Sequence, residues 1–67
     1  MKLVCNIGDV IINKGYKKGY VAQQIGVSGQ QMSNWIVGRS YPTAIHLFEL
    51  AAFLSVKVDD LYRIEDE

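Results

Sequence analysis

Val21-Ala22-Gln23-Gln24-Ile25-Gly26-Val27-Ser28-Gly29-Gln30-Gln31-Met32-Ser33-Asn34-Trp35 is the stretch whose reading decides the fold. Val21, Ala22 and Ile25 fall at i, i+1, i+4, and Met32, Trp35 and Ile36 at i, i+3, i+4, which makes one apolar stripe on each of two short helices. Between them, Gly26 can end the first helix in the left-handed region, and Val27 supplies an apolar anchor. Ser28 then offers a hydroxyl to cap the second helix. Ala22 is small where the second helix must cross.

Working outward, a first helix is expected over about Leu3–Lys14, with Leu3, Ile7, Val10 and Ile11 inward and Gly15 stopping it. The central pair is read as helix 2, about Lys18–Ile25, and helix 3, about Gly29–Val37, closed by Gly38. Arg39-Ser40-Tyr41-Pro42 reads as an exposed loop, because Pro42 biases Tyr41 away from helix. Thr43 should cap helix 4, about Ala44–Leu54, with Leu47, Leu50, Ala51 and Leu54 inward. A short helix 5 is expected over about Val58–Tyr62, with Asp59 and Asp60 in its first turn. No period-2 strand pattern of useful length is evident. The expected fold is therefore all-α, a compact five-helix bundle in one domain over 1–67, with an acidic tail over 63–67.

The 67 residues lie near the lower limit for a self-sufficient core, and 49% apolar content favours folding over disorder. No apolar run approaches membrane-spanning length, and the N-terminus lacks a signal-peptide layout. A single cysteine, Cys5, excludes an internal disulfide and fits a reducing cytoplasm. Placed on helix 1 beside the apolar stripe, it reads as a small, buried or half-buried hydrophobe. With His46 as the only other good soft ligand, no metal site is expected, and no cofactor or small-molecule ligand is evident. The absence of an acid/base pair or a nucleophile–His constellation argues against an enzyme.

Formal net charge is zero, yet its distribution is polarised. Residues 1–48 carry Lys2, Lys14, Lys17, Lys18 and Arg39 against Asp9 alone. Residues 49–67 carry Lys57 and Arg63 against Glu49, Asp59, Asp60, Glu65, Asp66 and Glu67. Such a molecule can offer phosphate a positive face while its average stays neutral.

Two short helices joined by a glycine turn are the pattern of a helix-turn-helix, whose second helix enters a DNA major groove. With Met32, Trp35 and Ile36 inward, Gln30 and Asn34 share the opposite face one turn apart. Their planar amides carry a donor and an acceptor, matching the N6/N7 edge of adenine. Lys17 and Lys18 stand at the N-terminus of helix 2, where each charge opposes the dipole by roughly 0.3–1 kcal/mol. A phosphate lodged there would reverse that penalty. Arg39, and Tyr41 through its hydroxyl, could contact the backbone from the other side. Trp35 falls on the inward stripe and reads as core.

The chain resembles the Cro/phage-repressor (XRE-like) helix-turn-helix family. The resemblance is carried by Ile7, Lys14-Gly15, Val21-Ala22, Ile25-Gly26-Val27-Ser28, Met32-Ser33-Asn34-Trp35, Gly38-Arg39 and Pro42. Leu47, Leu50-Ala51, Leu54, Val56 and Asp59-Asp60-Leu61-Tyr62 extend it, and it covers residues 3–62. It implies a cytoplasmic transcriptional regulator that binds double-stranded operator DNA as a dimer, acting here as a small Cro-like repressor. Base-reading positions would fall on Ser28, Gly29, Gln30, Ser33 and Asn34, and phosphate-contacting ones on Lys18, Arg39 and the Tyr41–Thr43 segment. Lys18 stands where the family often has Gln, and Gly29 removes one common base-reading side chain. Ile11 and Ile36 stand where many members pair an Arg with a Glu.

Apolar residues left over once the core is filled, Ile45, Phe53, Tyr62 and Ile64, are expected to form a homodimer contact through helices 4 and 5. A different class stays open. Antitoxins of toxin–antitoxin pairs can share this fold, and the acidic C-terminal region could dock on a basic partner.

Overall fold

The computed structural model describes residues 1–66, and Glu67 lies outside them. Its elements run β1 (Lys2–Cys5), α1 (Ile7–Asn13), α2 (Lys18–Ile25), α3 (Gly29–Val37), α4 (Ala44–Leu54), α5 (Val58–Leu61) and β2 (Tyr62–Glu65). Helices α2, α3 and α4 have the bounds that their stripes and caps predict. Gly26 ends α2 and Gly38 ends α3, both in the left-handed region at φ 86° and 84°. At the other ends, Ser28 Oγ accepts the Gln31 N–H at 3.0 Å, and Thr43 Oγ1 accepts the His46 N–H at 3.2 Å.

The chain termini depart from expectation. Residues 2–5 are not the first turn of a helix; they form β1, antiparallel to β2. The register pairs Lys2 with Glu65, Leu3 with Ile64, Val4 with Arg63 and Cys5 with Tyr62. Opposite charges and two apolar side chains thus meet across the ladder, and such pairs are what stabilise strands. Asn6 N–H donates to the Leu61 carbonyl at 2.8 Å, closing the junction where both strands meet helices. Consequently α1 begins at Ile7, Leu3 leaves the core for a half-exposed strand position, and α5 ends at Leu61. The expected acidic tail is mostly strand β2, so the bundle carries a two-stranded sheet as a minor addition.

Ile7, Ile11, Val21, Ala22, Met32, Trp35, Leu50, Ala51, Leu54 and Leu61 form the buried core, with every helix contributing. Leu47, assigned inward, is only half-buried against it. Ala22 is fully enclosed where α2 meets α3. Gly8 performs the same service between α1 and α3: a Cβ there would stand 3.1 Å from Ile36 Cγ2. Cys5 is half-buried, as a small hydrophobe, but on β1, where its thiol donates to the Trp35 carbonyl at 3.3 Å. A side chain from the strand thereby braces the end of α3. Ser55 closes α4 at φ 57°, a left-handed conformation that glycine adopts at lower cost.

Candidate nucleic-acid interface

Burying Met32 and Trp35 fixes the rotation of α3 about its axis. Gln30 is thereby left exposed, and Ser33 and Asn34 are half-exposed. Gln30 Nε2 donates to Asn34 Oδ1 at 3.1 Å, the i, i+4 contact that one helical turn permits. The two amides therefore form one unit, holding Gln30 Oε1 and Asn34 Nδ2 free for a partner. Ser28 is exposed at the N-cap with its oxygen engaged by Gln31 N–H, and Gly29 opens the helix without a side chain. Ser28, Gly29, Gln30, Ser33 and Asn34 accordingly all lie on or at the start of one helix.

Lys17 is the N-cap of α2, with extended backbone (φ −96°, ψ 145°) and no side-chain cap bond. The first turns of α2, α3 and α4 contain no carboxylate, whereas α5 has Asp59 and Asp60 in its first turn. Three helix N-termini therefore keep their positive dipole ends free of acidic side chains, a favourable arrangement for anions. Lys18 crosses from α2 to α3, its Nζ donating to Ser33 Oγ at 2.9 Å. The spacing of 15 residues hides this contact from any helical periodicity. Its only sequence signal is a lysine at a position where the resemblance leads one to expect an amide.

Beyond α3, Arg39 is exposed, its N–H tied to the Asn34 carbonyl at 2.9 Å. Tyr41 is exposed in the loop, with its ring 6.0 Å from that of Tyr62. Thr43 has its hydroxyl committed to capping α4. His46 approaches Thr43 Oγ1 through Nδ1 at 3.3 Å, and its ring lies 5.5 Å from Trp35. These contacts give His46 a packing role.

The expected interface candidates separate. Ile45 and Ile64 are exposed, and Tyr62 is half-buried. Phe53 is half-buried in an aromatic cluster, 5.2 Å from Tyr16 and 6.2 Å from Tyr20. Exposed Phe48 was not singled out by the pattern, although it lies three residues from Ile45 on the same helix face. Among the described residues, Tyr62 Oη is buried without a hydrogen-bond partner. Burial, and then the neighbouring Cys5 thiol, raise its pKa well above the ordinary phenol value.

Among the described residues, no cluster of three or more His, Cys, Asp or Glu side chains could hold a metal ion. None of their helices is long and apolar enough to cross a membrane.

A capped helix pair, closed by a left-handed glycine and presenting polar side chains on its second member, defines a helix-turn-helix domain. The family model described as "Helix-turn-helix" matches residues 9–61, and the chain belongs to this XRE-like family. The match supports a DNA-binding regulator. A solved crystal structure, described as a "putative DNA-binding protein from Bacteroides fragilis", is 26% identical and superposes with a TM-score of 0.86. The alignment covers 92% of this chain and all of the other. No curated protein gives a significant match.

Proposed function

We propose that this protein is a small, cytoplasmic, Cro-like repressor that occupies operator DNA as a dimer, blocking polymerase or a competing regulator. The observation that carries the reading is the shared face built by α2 and α3. Gln30, Ser33 and Asn34 stand on the recognition helix, while Lys17 and Lys18 flank it at an uncapped helix end. In this reading Ser28, Gly29, Gln30, Ser33 and Asn34 approach base edges. Lys17, Lys18, Arg39, Tyr41 and the backbone at Thr43 hold phosphates on either side.

Dimerisation is supported by apolar surface on β1, β2 and α4. Leu3 and Ile64 pair across the sheet and are both exposed, next to half-buried Val58 and Tyr62. Ile45 and Phe48 add an exposed stripe on α4. Contiguous apolar surface of this kind marks interfaces. A two-fold contact there would direct two recognition helices to successive major grooves about 34 Å apart. Phe53, packed on Tyr16 and Tyr20, serves its own protomer in this arrangement.

Selection of bound sequences from a random duplex pool tests the reading directly. Enrichment of a two-fold symmetric site is expected. Failure to enrich any sequence above the starting pool would overturn sequence-specific binding. A 1:1 protein–duplex complex on a palindromic site, measured by sedimentation, would overturn the dimer.

A further inference from the structure

A groove between α1 and α3 borders the nucleic-acid interface without belonging to it. Gly8, Ile11 and Ile12 of α1, Tyr16 from the following turn and Ile36 of α3 surround a space of about 410 Å³. Clefts that take small molecules begin at roughly 300 Å³. Ile12 is 72% exposed at its edge, an apolar side chain that its own helix leaves uncovered. Ile11 and Ile36 stand where the family resemblance leads one to expect an Arg–Glu pair, so the floor carries no charge. The rim is cationic. Lys17 and Lys18 border the groove, and both are exposed. Among the described residues the one ion pair is Arg63–Glu65, so neither ammonium has a carboxylate partner. Asp9, the only acid in the first 48 residues, lines a different groove with Asn13 and Lys14.

We propose that this groove is a ligand site for an amphipathic carboxylate. Its aliphatic chain lies against Ile11, Ile12 and Ile36, where burial removes apolar surface of both partners from water. Its carboxylate meets Lys17 and Lys18, whose apolar stems line the groove while their heads stay in water. The Lys18 ammonium gives one donor to Ser33 Oγ and keeps two for the ligand. A cation would be repelled at this rim, and a wholly polar anion would leave the isoleucines uncovered. The consequence for regulation rests on the DNA-binding reading above. The carboxylate occupies the two ammonium groups that phosphate would otherwise neutralise, so ligand and duplex compete, and the occupant releases the protein from DNA.

Titrating the protein with octanoate, octanamide and octylammonium below micelle-forming concentrations tests the site through the methyl NMR signals of Ile11, Ile12 and Ile36. Octanoate should shift them saturably with a Kd on the order of 1 mM, ordinary for a ligand of about ten heavy atoms. Octanamide, its neutral isostere, should bind about two- to fivefold more weakly, the range of an exposed ion pair, and octylammonium more weakly still. Lys17→Gln should lower octanoate affinity by that same factor and leave octanamide unchanged. Ile12→Gln, at an exposed position, should weaken both about fourfold, the equivalent of one buried methylene, while binding duplex as wild type does. At ten times its Kd, octanoate should weaken duplex binding by up to about elevenfold relative to equal acetate. Equal binding of octanamide and octanoate, or shifts confined to Ile45 and Ile64, would overturn the site. Ile12 signals that move with protein concentration alone would give the groove to a second copy of the chain, and overturn it too. Duplex affinity unmoved by saturating octanoate would overturn the competition. A wild type that binds octanoate but no duplex would instead defeat the DNA-binding reading and leave the carboxylate site standing.

Discussion

Replacing Ser28 with alanine tests the cap at the start of α3. Ser28 Oγ is the one side-chain acceptor at the N-terminus of α3, receiving Gln31 N–H at 3.0 Å. Its loss leaves that N–H to water, because the residue is exposed. The expected cost is that of an exposed cap, about 1 kcal/mol within a range of roughly 0.5–2 kcal/mol. For a domain of this size 1 kcal/mol corresponds to a fall in Tm of about 4–8 °C. Ser28→Asp restores an acceptor and adds a favourable dipole interaction of roughly 0.3–1 kcal/mol, so its stability should equal or exceed wild type. In the proposed complex the same substitution brings a negative charge to the polyanionic duplex and should weaken binding. Urea unfolding followed by circular dichroism gives the stabilities, and fluorescence anisotropy well below Tm gives the affinities. A Ser28→Ala variant whose stability stays within about 0.2 kcal/mol of wild type would refute the capping argument, since even the weakest caps contribute more.

Other outcomes follow from the same geometry. Gln30→Ala should leave folding and non-specific binding almost unchanged while removing discrimination of roughly 1–3 kcal/mol at one or two positions per half-site, measured by competition with altered duplexes. Leu61→Ala, at a fully buried junction between α5 and β2, should cost roughly 2–5 kcal/mol in urea unfolding. Ser55→Gly relieves a left-handed serine and should raise stability by up to about 1 kcal/mol, read in the same assay. Tyr62 has a raised folded-state pKa, so its contribution is complete below the ordinary phenol value of about 10 and declines as pH rises above it. Tyr62→Phe should therefore flatten alkaline unfolding, and by removing a buried hydroxyl without a partner should add about 1 kcal/mol at neutral pH.

Three of the helices were legible because their determinants are local. Gly26, Ser28, Gly38 and Thr43 act within a turn of themselves, and the stripes of Val21, Ala22, Met32, Trp35, Leu50 and Leu54 repeat at helical spacing. The same stripes oriented α3, which put Gln30, Ser33 and Asn34 outward before any tertiary contact was known. Charge at Lys17 and Lys18 was equally readable, as a sequence violation of helix-dipole preference.

The strands were not legible. Four residues are too few for a period-2 signal, and Leu3 with Ile7 mimics a helical i, i+4 pair. What makes Lys2–Cys5 a strand is the edge of Tyr62–Glu65, some sixty positions away, and the Asn6–Leu61 bond that stops the helix from extending backwards. Phe53 likewise looked like spare apolar area until α4 packed it on Tyr16 and Tyr20. The Lys18–Ser33 bond belongs to the same class. Sequence by itself determined the helices, their caps and the face that α3 presents, because each depends on neighbours within one or two turns. Only the tertiary structure decided which side chains from separate elements meet, and so which hydrogen-bonding groups on that face remain free, because proximity between distant segments is a property of packing and leaves no periodic trace in the chain.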